Sequence, residues 1–211
     1  MRAGATGRVL RDSRGGSFRF DAGATCLDFA HTGGEGIYAV FETLHQPSDL
    51  AEWLAQPPLS AVVTVPVTTD ELTMAKRLRQ GIWEAAHQRA AGRAVPAATV
   101  RVINTAAAQA PLAPELDAGA TTARWAEPVT ATQALASLAR EMIDLLSGSP
   151  ANRIRECSGD NCPLVFVDSS RPGQRRWCSM ERCGNRSKLR ARRGRGADVA
   201  AATDGGGHRR R

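Results

Sequence analysis

The sequence predicts an α+β protein in two parts, a mainly helical N-terminal domain with a few short strands followed by a small four-cysteine module. Three observations lead to this prediction. Apolar residues recur at helical spacing in several segments between residues 70 and 147, and Phe18 and Phe20 alternate with Arg19 as in a strand. Four of the five cysteines fall within 27 residues near the C-terminus, and this cluster requires an explanation of its own.

The first part of the domain reads as extended structure and a short helix. Residues 18–32 have a strand-like pattern, and the glycines among residues 33–36 predict a loop. Ser48 is the expected N-cap of a short helix, which Pro57 and Pro58 end.

The clearest long helix is expected from about Asp70 to Ala90, with Thr69 as its cap and Gly92 just beyond its end. The remaining elements predicted are a helix that begins at Pro96, a short strand near residues 122–126, and an amphipathic helix that opens at Thr130 or Thr132. These segments together predict one helical core.

The composition divides the chain into five segments. Gly148, Ser149 and Pro150 form the clearest linker signal, and both ends of the chain are rich in Gly and Arg. The predicted boundaries are a disordered lead at 1–17, a helical α+β domain at 18–147, a linker at 148–152, a zinc-binding module at 153–196 and a disordered basic tail at 197–211.

Charge separates the two parts of the chain. Residues 1–150 carry 13 basic and 15 acidic side chains, whereas residues 151–211 carry 15 basic and 6 acidic ones, a net +9. Such asymmetry indicates a basic module that meets nucleic acid or another polyanion. No run of eighteen apolar residues is present, which excludes an ordinary membrane-spanning helix, and no apolar segment follows the basic N-terminus. We expect a cytoplasmic protein without a membrane partner.

The cysteine cluster has the spacing of a metal site. Cys157 and Cys162 form one pair, Cys178 and Cys183 form another, and each pair is separated by four residues, with fifteen between the pairs. Four thiolates suit a tetrahedral structural zinc, and two short pairs around a loop are the usual arrangement. Iron is an alternative for the same ligands, and two disulfides are a less favoured one in a reducing compartment. All four positions are filled, so we expect one structural rather than catalytic Zn²⁺ per chain.

The size of the module gives a physical reason for the metal. The segment between the first and last of these cysteines offers six candidate core residues, Leu164, Val165, Phe166, Val167, Trp177 and Met180. Modules below about 40 residues usually need a metal, disulfides or a partner to fold. Gly184, directly after the fourth cysteine, is expected to take a positive φ and turn backbone N–H groups toward the thiolates.

Residues in and around this cluster carry a resemblance to a known family. They are Arg155-Glu156-Cys157, Cys162, Phe166-Val167-Asp168-Ser169-Ser170-Arg171, Arg175-Arg176-Trp177-Cys178-Ser179-Met180 and Cys183-Gly184-Asn185-Arg186. The stretch resembles the CGNR-type zinc finger, whose members are usually described as candidate bacterial transcriptional regulators. That finger commonly follows an N-terminal domain called ABATE. Cys26-Leu27-Asp28-Phe29-Ala30-His31-Thr32 resembles the Leu-Asp-Phe-x-Asn-Thr signature of that domain, with His31 where Asn is usual.

Basic residues around the cysteines are the candidates for nucleic-acid contact, because Arg and Lys bind phosphates and Arg can pair with guanine. A helix is expected to begin at Asn185 or Ser187 and to reach Arg195. The residues expected to engage phosphates or bases are Arg175, Arg176, Arg186, Lys188, Arg190, Arg192 and Arg193. Trp177 is expected to pack over the metal site rather than on a base.

The sequence offers little support for catalysis. The four histidines lack metal-ligand spacing, and neither a phosphate-binding glycine loop nor a serine-hydrolase elbow is present. Asp28, His31 and His45 in one pocket, with the thiol of Cys26, would be the arrangement of a nucleophile and a base. We expect no enzyme activity.

The overall prediction is a transcriptional regulator that binds DNA through the zinc module. The N-terminal domain would bind a small ligand or a second copy of the chain. The alternative is a zinc-stabilised module that binds protein or RNA without sequence-specific DNA recognition.

Overall fold

The computed structural model describes residues 7–11, 16–34 and 36–190. Its strands and helices, in chain order, are β1 Arg8–Arg11, β2 Ser17–Phe20, α1 Thr25–Ala30, α2 Pro47–Ala55, α3 Thr69–Ala90, α4 Ala97–Ala107, β3 Pro114–Leu116, β4 Ala123–Trp125, α5 Ala131–Ser147, β5 Ile154–Glu156 and β6 Val165–Val167. Short helical turns span Gly36–Phe41, Ser149–Arg153 and Met180–Gly184, and residues 185–190 are helical. The α+β class is confirmed. The predicted tail at 197–211, with Arg192 and Arg193, lies outside the described residues.

Helices α3, α4 and α5 pack on one another and on α1 to form the main core. Leu78 and Ile82 of α3 and Leu138 and Met142 of α5 belong to this core, and each of the four is at most 2% exposed. The apolar faces predicted for α3 and α5 are thus buried, whereas Val100 of α4, also predicted to be buried, is 40% exposed. No helix in the described ranges is long and apolar enough to span a bilayer.

Both long helices begin at a threonine that forms a capping box. The Thr68 hydroxyl accepts a hydrogen bond from the backbone N–H of Glu71, whose carboxylate accepts the N–H of Thr68. Thr130 and Gln133 form the same pair at the start of α5. The predicted cap of α3 was Thr69, one residue too late, because the Glu three residues further on selects Thr68.

The strands form three separate antiparallel hairpins, β1–β2, β3–β4 and β5–β6. The first one corrects the prediction of a disordered lead at 1–17, since Arg8–Arg11 pairs with Ser17–Phe20. Phe18 and Phe20 are buried, and the Arg8 guanidinium lies 4.0 Å from the ring centroid of Trp53. Buried phenylalanines and the stacked Arg8 guanidinium therefore anchor the hairpin to the helical domain.

The prediction of strand structure throughout residues 18–32 is wrong beyond β2. Helix α1 buries five consecutive residues, from Cys26 to Ala30, and such a run carries no clear periodicity. Its first N–H groups are bound from another helix: Glu141 of α5 accepts hydrogen bonds from Thr25 and Cys26, at 3.0 and 2.6 Å. A long-range cap of this kind leaves no mark in the local sequence.

The C-terminal module packs directly against the helical domain. The Val167 N–H donates to the Ala22 carbonyl at 2.8 Å, and His31 Nε2 contacts the Val165 carbonyl at the same distance. Between the two parts, the predicted linker forms the helical turn Ser149–Arg153, in which Ala151 is buried. One continuous hydrophobic cluster includes residues of both parts.

Candidate metal centre and basic surface

The hairpin β5–β6 brings the first two cysteines together. Cys157 directly follows β5, and its N–H donates to the Leu164 carbonyl at 2.9 Å, which closes the loop that contains Cys162. Cys178 lies in the long segment after β6, and Cys183 lies in the helical turn Met180–Gly184. All four Sγ atoms lie within 4.8 Å of one another, and all four residues are buried.

The spacing of the sulfurs fits zinc. The Sγ of Cys178 lies 3.7 Å from that of Cys162 and 3.6 Å from that of Cys183. A tetrahedron with Zn–S bonds of about 2.3 Å has edges of about 3.8 Å. The four cysteines therefore form a site for one structural Zn²⁺, which would be bound by four thiolates with no open coordination position.

The thiols cannot all ionise without a cation. Contacts with the thiols of Cys162 and Cys178 lower the pKa of Cys157, and its Sγ also accepts backbone N–H groups of Gly159 and Cys178 at 3.4 and 3.2 Å. The pKa of Cys178 is raised, first by its contact with Cys157. A doubly charged metal displaces the remaining protons, so binding should release protons and weaken in acid.

Arg182 is a positive charge beside the thiolates that the sequence analysis missed. Its Nη1 donates to the Sγ of Cys162 at 3.3 Å, and its guanidinium lies 4.6 Å from the ring centroid of Phe18 in β2. The side chain therefore offsets thiolate charge and also joins the metal centre to the N-terminal hairpin.

Gly159 was also missed, and Gly184 acts differently from the prediction. A Cβ on Gly159 would lie 2.6 Å from the Sγ of Cys183, so only glycine fits there. Gly184 is not among the residues with positive φ, and its N–H donates to the Ser179 carbonyl at 3.1 Å. In the described residues, the backbone N–H groups that donate to cysteine sulfur are instead those of Gly159 and Cys178.

The structure divides the predicted nucleic-acid contacts into three groups. Arg175 is bound inside the protein: its guanidinium donates to the carbonyls of Asp21, Trp177 and Cys178 and lies over Phe166. We therefore remove Arg175 from the candidate set. Exposed side chains are those of Arg176, Arg186, Lys188 and Arg190. Arg192 and Arg193 lie outside the described residues.

Arg190 and Arg176 make contacts within the module. Arg190 forms an ion pair with Asp160, and the Arg176 guanidinium lies 5.1 Å from the ring centroid of Trp177. Trp177 is half-buried near Cys162 and Cys183, which agrees with a packing role for the indole.

The arrangement considered for catalysis is formed only in part. Asp28 and His31 line the same cavity, but His45 is exposed and is not among the residues around it. The Cys26 thiol is buried and contacts the Sδ of Met142 at 4.0 Å. The absence of enzyme activity stays a prediction.

Comparison with known families agrees with this architecture. The family model of the ABATE domain, described as "putative stress-induced transcription regulator", matches residues 23–149, and the model of the CGNR zinc finger matches residues 153–196. No curated protein gives a match. The chain therefore belongs to the ABATE family and carries a CGNR zinc finger at its C-terminal side.

Proposed function

We propose that this protein is a transcription regulator whose zinc finger binds DNA and whose ABATE domain binds the ligand that controls it. The observation on which this proposal rests is the position of Arg186, Lys188 and Arg190. These residues are exposed on the helical segment that begins two residues after the last zinc ligand. Zinc would fix the orientation of that segment, as short modules require.

The charge of the finger supports a polyanionic partner. Residues 153–190 carry nine basic and four acidic side chains. A Zn²⁺ with four thiolates has a formal charge of −2, which leaves this part of the finger at +3. Phosphate contacts of this kind give affinity and register, while base contacts give sequence preference.

The test is DNA binding by the zinc-loaded full chain, measured by fluorescence anisotropy over a salt series. If Arg176, Arg186, Lys188 and Arg190 each neutralise one phosphate, log K should fall against log salt with a slope near −3.6 from these four alone. The double variant Arg186→Ala with Lys188→Ala should reduce the slope by about 1.8. A charge-matched control, Arg77→Ala with Arg101→Ala, removes two exposed cations of the ABATE domain and should leave the slope unchanged.

The main alternative is a finger that binds RNA or an acidic protein. Competition against labelled DNA separates the two: unlabelled duplex DNA should displace it better than single-stranded RNA or heparin of equal charge. Equal displacement by all three would refute specific DNA recognition and favour the alternative. We further propose that the finger has no catalytic role, because four cysteine ligands leave the zinc no open position.

A further inference from the structure

The cavity lined by Asp28 and His31 lies in the N-terminal part of the chain, away from the zinc ligands. It has a volume of about 610 Å³, within the usual range for small-molecule sites. Hairpin strand β1, the end of α1 and helix α2 surround it. The residues on which the argument depends are Arg8, Asp28, His31, Asp49, Glu52 and Trp53, all of which line the cavity.

The carboxyl group of Asp28 is buried among the residues that line this cavity. It is 3% exposed, and neither of its oxygens makes a hydrogen bond of standard geometry within the described part of the chain. Burial raises the pKa of Asp28 to about 8, and the charge of Arg8 and a looser backbone contact at Ala22 only partly oppose this rise. Buried carboxylates are normally paired, so an unpaired one among the lining residues of a cavity is a candidate contact for a ligand.

Arg8 does not form a hydrogen bond with the carboxyl group of Asp28. Its two terminal nitrogens donate to the Gln56 side chain and the Pro57 carbonyl, at 2.9 and 3.3 Å. Its guanidinium stacks on Trp53, which shows that a planar cation fits against the aromatic wall of this cavity. In the part of the chain that the structure describes, its Nε has no partner. Arg8 therefore interacts with Asp28 through the long-range field rather than through a hydrogen bond.

The charge around the cavity favours a positive ligand. Its lining includes three acidic residues, Asp28, Asp49 and Glu52, and one guanidinium, that of Arg8. The carboxylate of Asp49 caps the start of α2, where it accepts hydrogen bonds from the backbone N–H groups of His45 and Gln46. Glu52 is exposed. Asp28 is thus the acidic group that remains buried and unbound.

We propose that this cavity binds a small organic cation, an amine or a guanidine-like compound, with Asp28 as its counter-ion. The proposal deepens the function proposed above, because it names the ligand class of the sensing domain. A positive nitrogen group would donate hydrogen bonds to the carboxylate, and an apolar or aromatic body would lie along the apolar part of the lining, which includes Val9 and Leu10.

His31 connects the cavity to the zinc finger. The residue lines the cavity, and its Nε2 contacts the Val165 carbonyl of β6 at 2.8 Å, while its Nδ1 has no hydrogen-bond partner among the described residues. Strand β6 lies between the second and third zinc ligands in sequence. Because His31 lines the same cavity as Asp28, a ligand bound there would lie near a side chain that contacts the backbone of the finger. Such a ligand would stabilise the packing of the finger on the ABATE domain.

Binding of a cation should also change the protonation of Asp28. At pH 7 the carboxyl is largely protonated, and a bound cation would favour the charged form and release the proton. Within the described residues, the charged and titratable groups that interact with Asp28 or share its cavity are Arg8, Asp21, Cys26, His31, Asp49, Glu52 and Glu141. Affinity should therefore rise with pH, by up to tenfold per unit, until it levels off near pH 8.

The experiment uses three probes with the same ring, benzamidine, benzamide and benzoate, which are cationic, neutral and anionic. Their affinities for the zinc-loaded full chain are measured by NMR titration between pH 6 and 8. Benzamidine should bind at least tenfold more tightly than the other two at pH 8, with the stated pH dependence. Asp28→Asn should lose this preference and its pH dependence, and Asp144→Asn, which removes an exposed carboxylate of α5, should keep both.

Benzoate or benzamide binding as tightly as benzamidine would overturn the proposal. So would an unchanged benzamidine affinity in a folded Asp28→Asn variant. Because no DNA is present in this titration, failure of the cation site and failure of DNA binding are separate results.

Discussion

The ABATE domain and the zinc finger are stabilised by different means, although they share one hydrophobic cluster. Helices α3 and α5 bury their apolar faces along most of their length and are capped by their own threonines. The finger has two three-residue strands and short helical turns around four thiols. Area burial can stabilise the first without help, whereas the second depends on a metal and on docking.

This contrast shows where each kind of perturbation should act. Removing apolar volume should destabilise the helical domain in proportion to the cavity left. The stability of the finger should instead depend mainly on the four cysteine ligands and on the groups that donate hydrogen bonds to their sulfurs. The five predictions below test that division, and they run from the largest expected effect to the smallest.

Zinc removal should have the largest effect and should be local. Structural zinc contributes on the order of 10 kcal/mol to the folding of such modules. Chelation, or Cys178→Ala, should abolish amide protection across residues 154–190, while α3 and α5 stay protected in hydrogen exchange. If the finger amides remained protected without metal, the division between the two parts would be wrong.

Leu138→Ala should destabilise the helical domain without changing metal content. Leu138 of α5 is 1% exposed in the main core, and such truncations cost about 2–5 kcal/mol. Urea unfolding followed by circular dichroism gives the free energy, and mass spectrometry gives the zinc content. Loss of zinc from the folded variant at neutral pH would show that the core and the metal site are more tightly coupled than proposed.

Gly159→Ala should weaken zinc binding, because the new methyl group would lie 2.6 Å from the Sγ of Cys183. Overpacking of this kind costs about 1–3 kcal/mol, which is about 5- to 150-fold in affinity measured by competition with a chelator. Gly119→Ala is the control, since its Cβ would have no neighbour closer than 3.6 Å. Equal affinities in both variants would contradict a steric role for Gly159.

Asp28 and His31 should have opposite effects on stability as pH falls. Burial lowers the pKa of His31 to about 4 from an ordinary 6.5, so the unfolded state binds the extra proton and stability falls between pH 6.5 and 4. Burial raises the pKa of Asp28 to about 8 from 3.8, so the folded state binds the extra proton and stability rises as pH falls through that range.

Each slope is about 1.4 kcal/mol per pH unit, so the two should nearly cancel between pH 4 and 6.5. Relative to the wild type, His31→Asn should gain about 2 kcal/mol of stability on going from pH 6.5 to 5, and Asp28→Asn should lose a similar amount. Unfolding free energies at both pH values, with the double variant as a control, check this. Parallel pH profiles for both single variants would show that neither group titrates as stated.

Thr130→Ala should have the smallest effect. Loss of the hydrogen bond between the Thr130 hydroxyl and the Gln133 N–H removes the cap of α5 and costs about 1 kcal/mol. Thr130→Ser keeps the hydroxyl and should restore most of this stability in the same urea experiment. An alanine variant as stable as the wild type would mean that packing alone fixes the start of the helix.

The long helices and the metal ligands could be predicted because their signals are local. The capping residues and the periodicity of α3 and α5 lie within the segments concerned, and the cysteine spacing reports the ligands directly. Helix α1 could not be predicted, since its first N–H groups are bound by Glu141, more than a hundred residues away.

Long-range contacts also explain why Arg175 was wrongly predicted to contact nucleic acid. Arg175 is as basic as its neighbours, but its guanidinium is held by backbone carbonyls of the folded chain, including that of Asp21 in the other domain. The roles of Gly159 and Arg182 likewise depend on which thiol the fold places beside them. A sequence records the type of side chain but not the direction in which the fold points it.

The packed turn between α5 and β5 limits how this finger can be transplanted. The family boundary falls in this turn, and a fragment cut there would lose the partners of Val165 and Val167, namely His31 and the Ala22 carbonyl. A chimera that grafts residues 153–196 onto a foreign sensor would expose an apolar strand that this protein covers. The unit that can be moved intact is the finger together with the surface on which it rests.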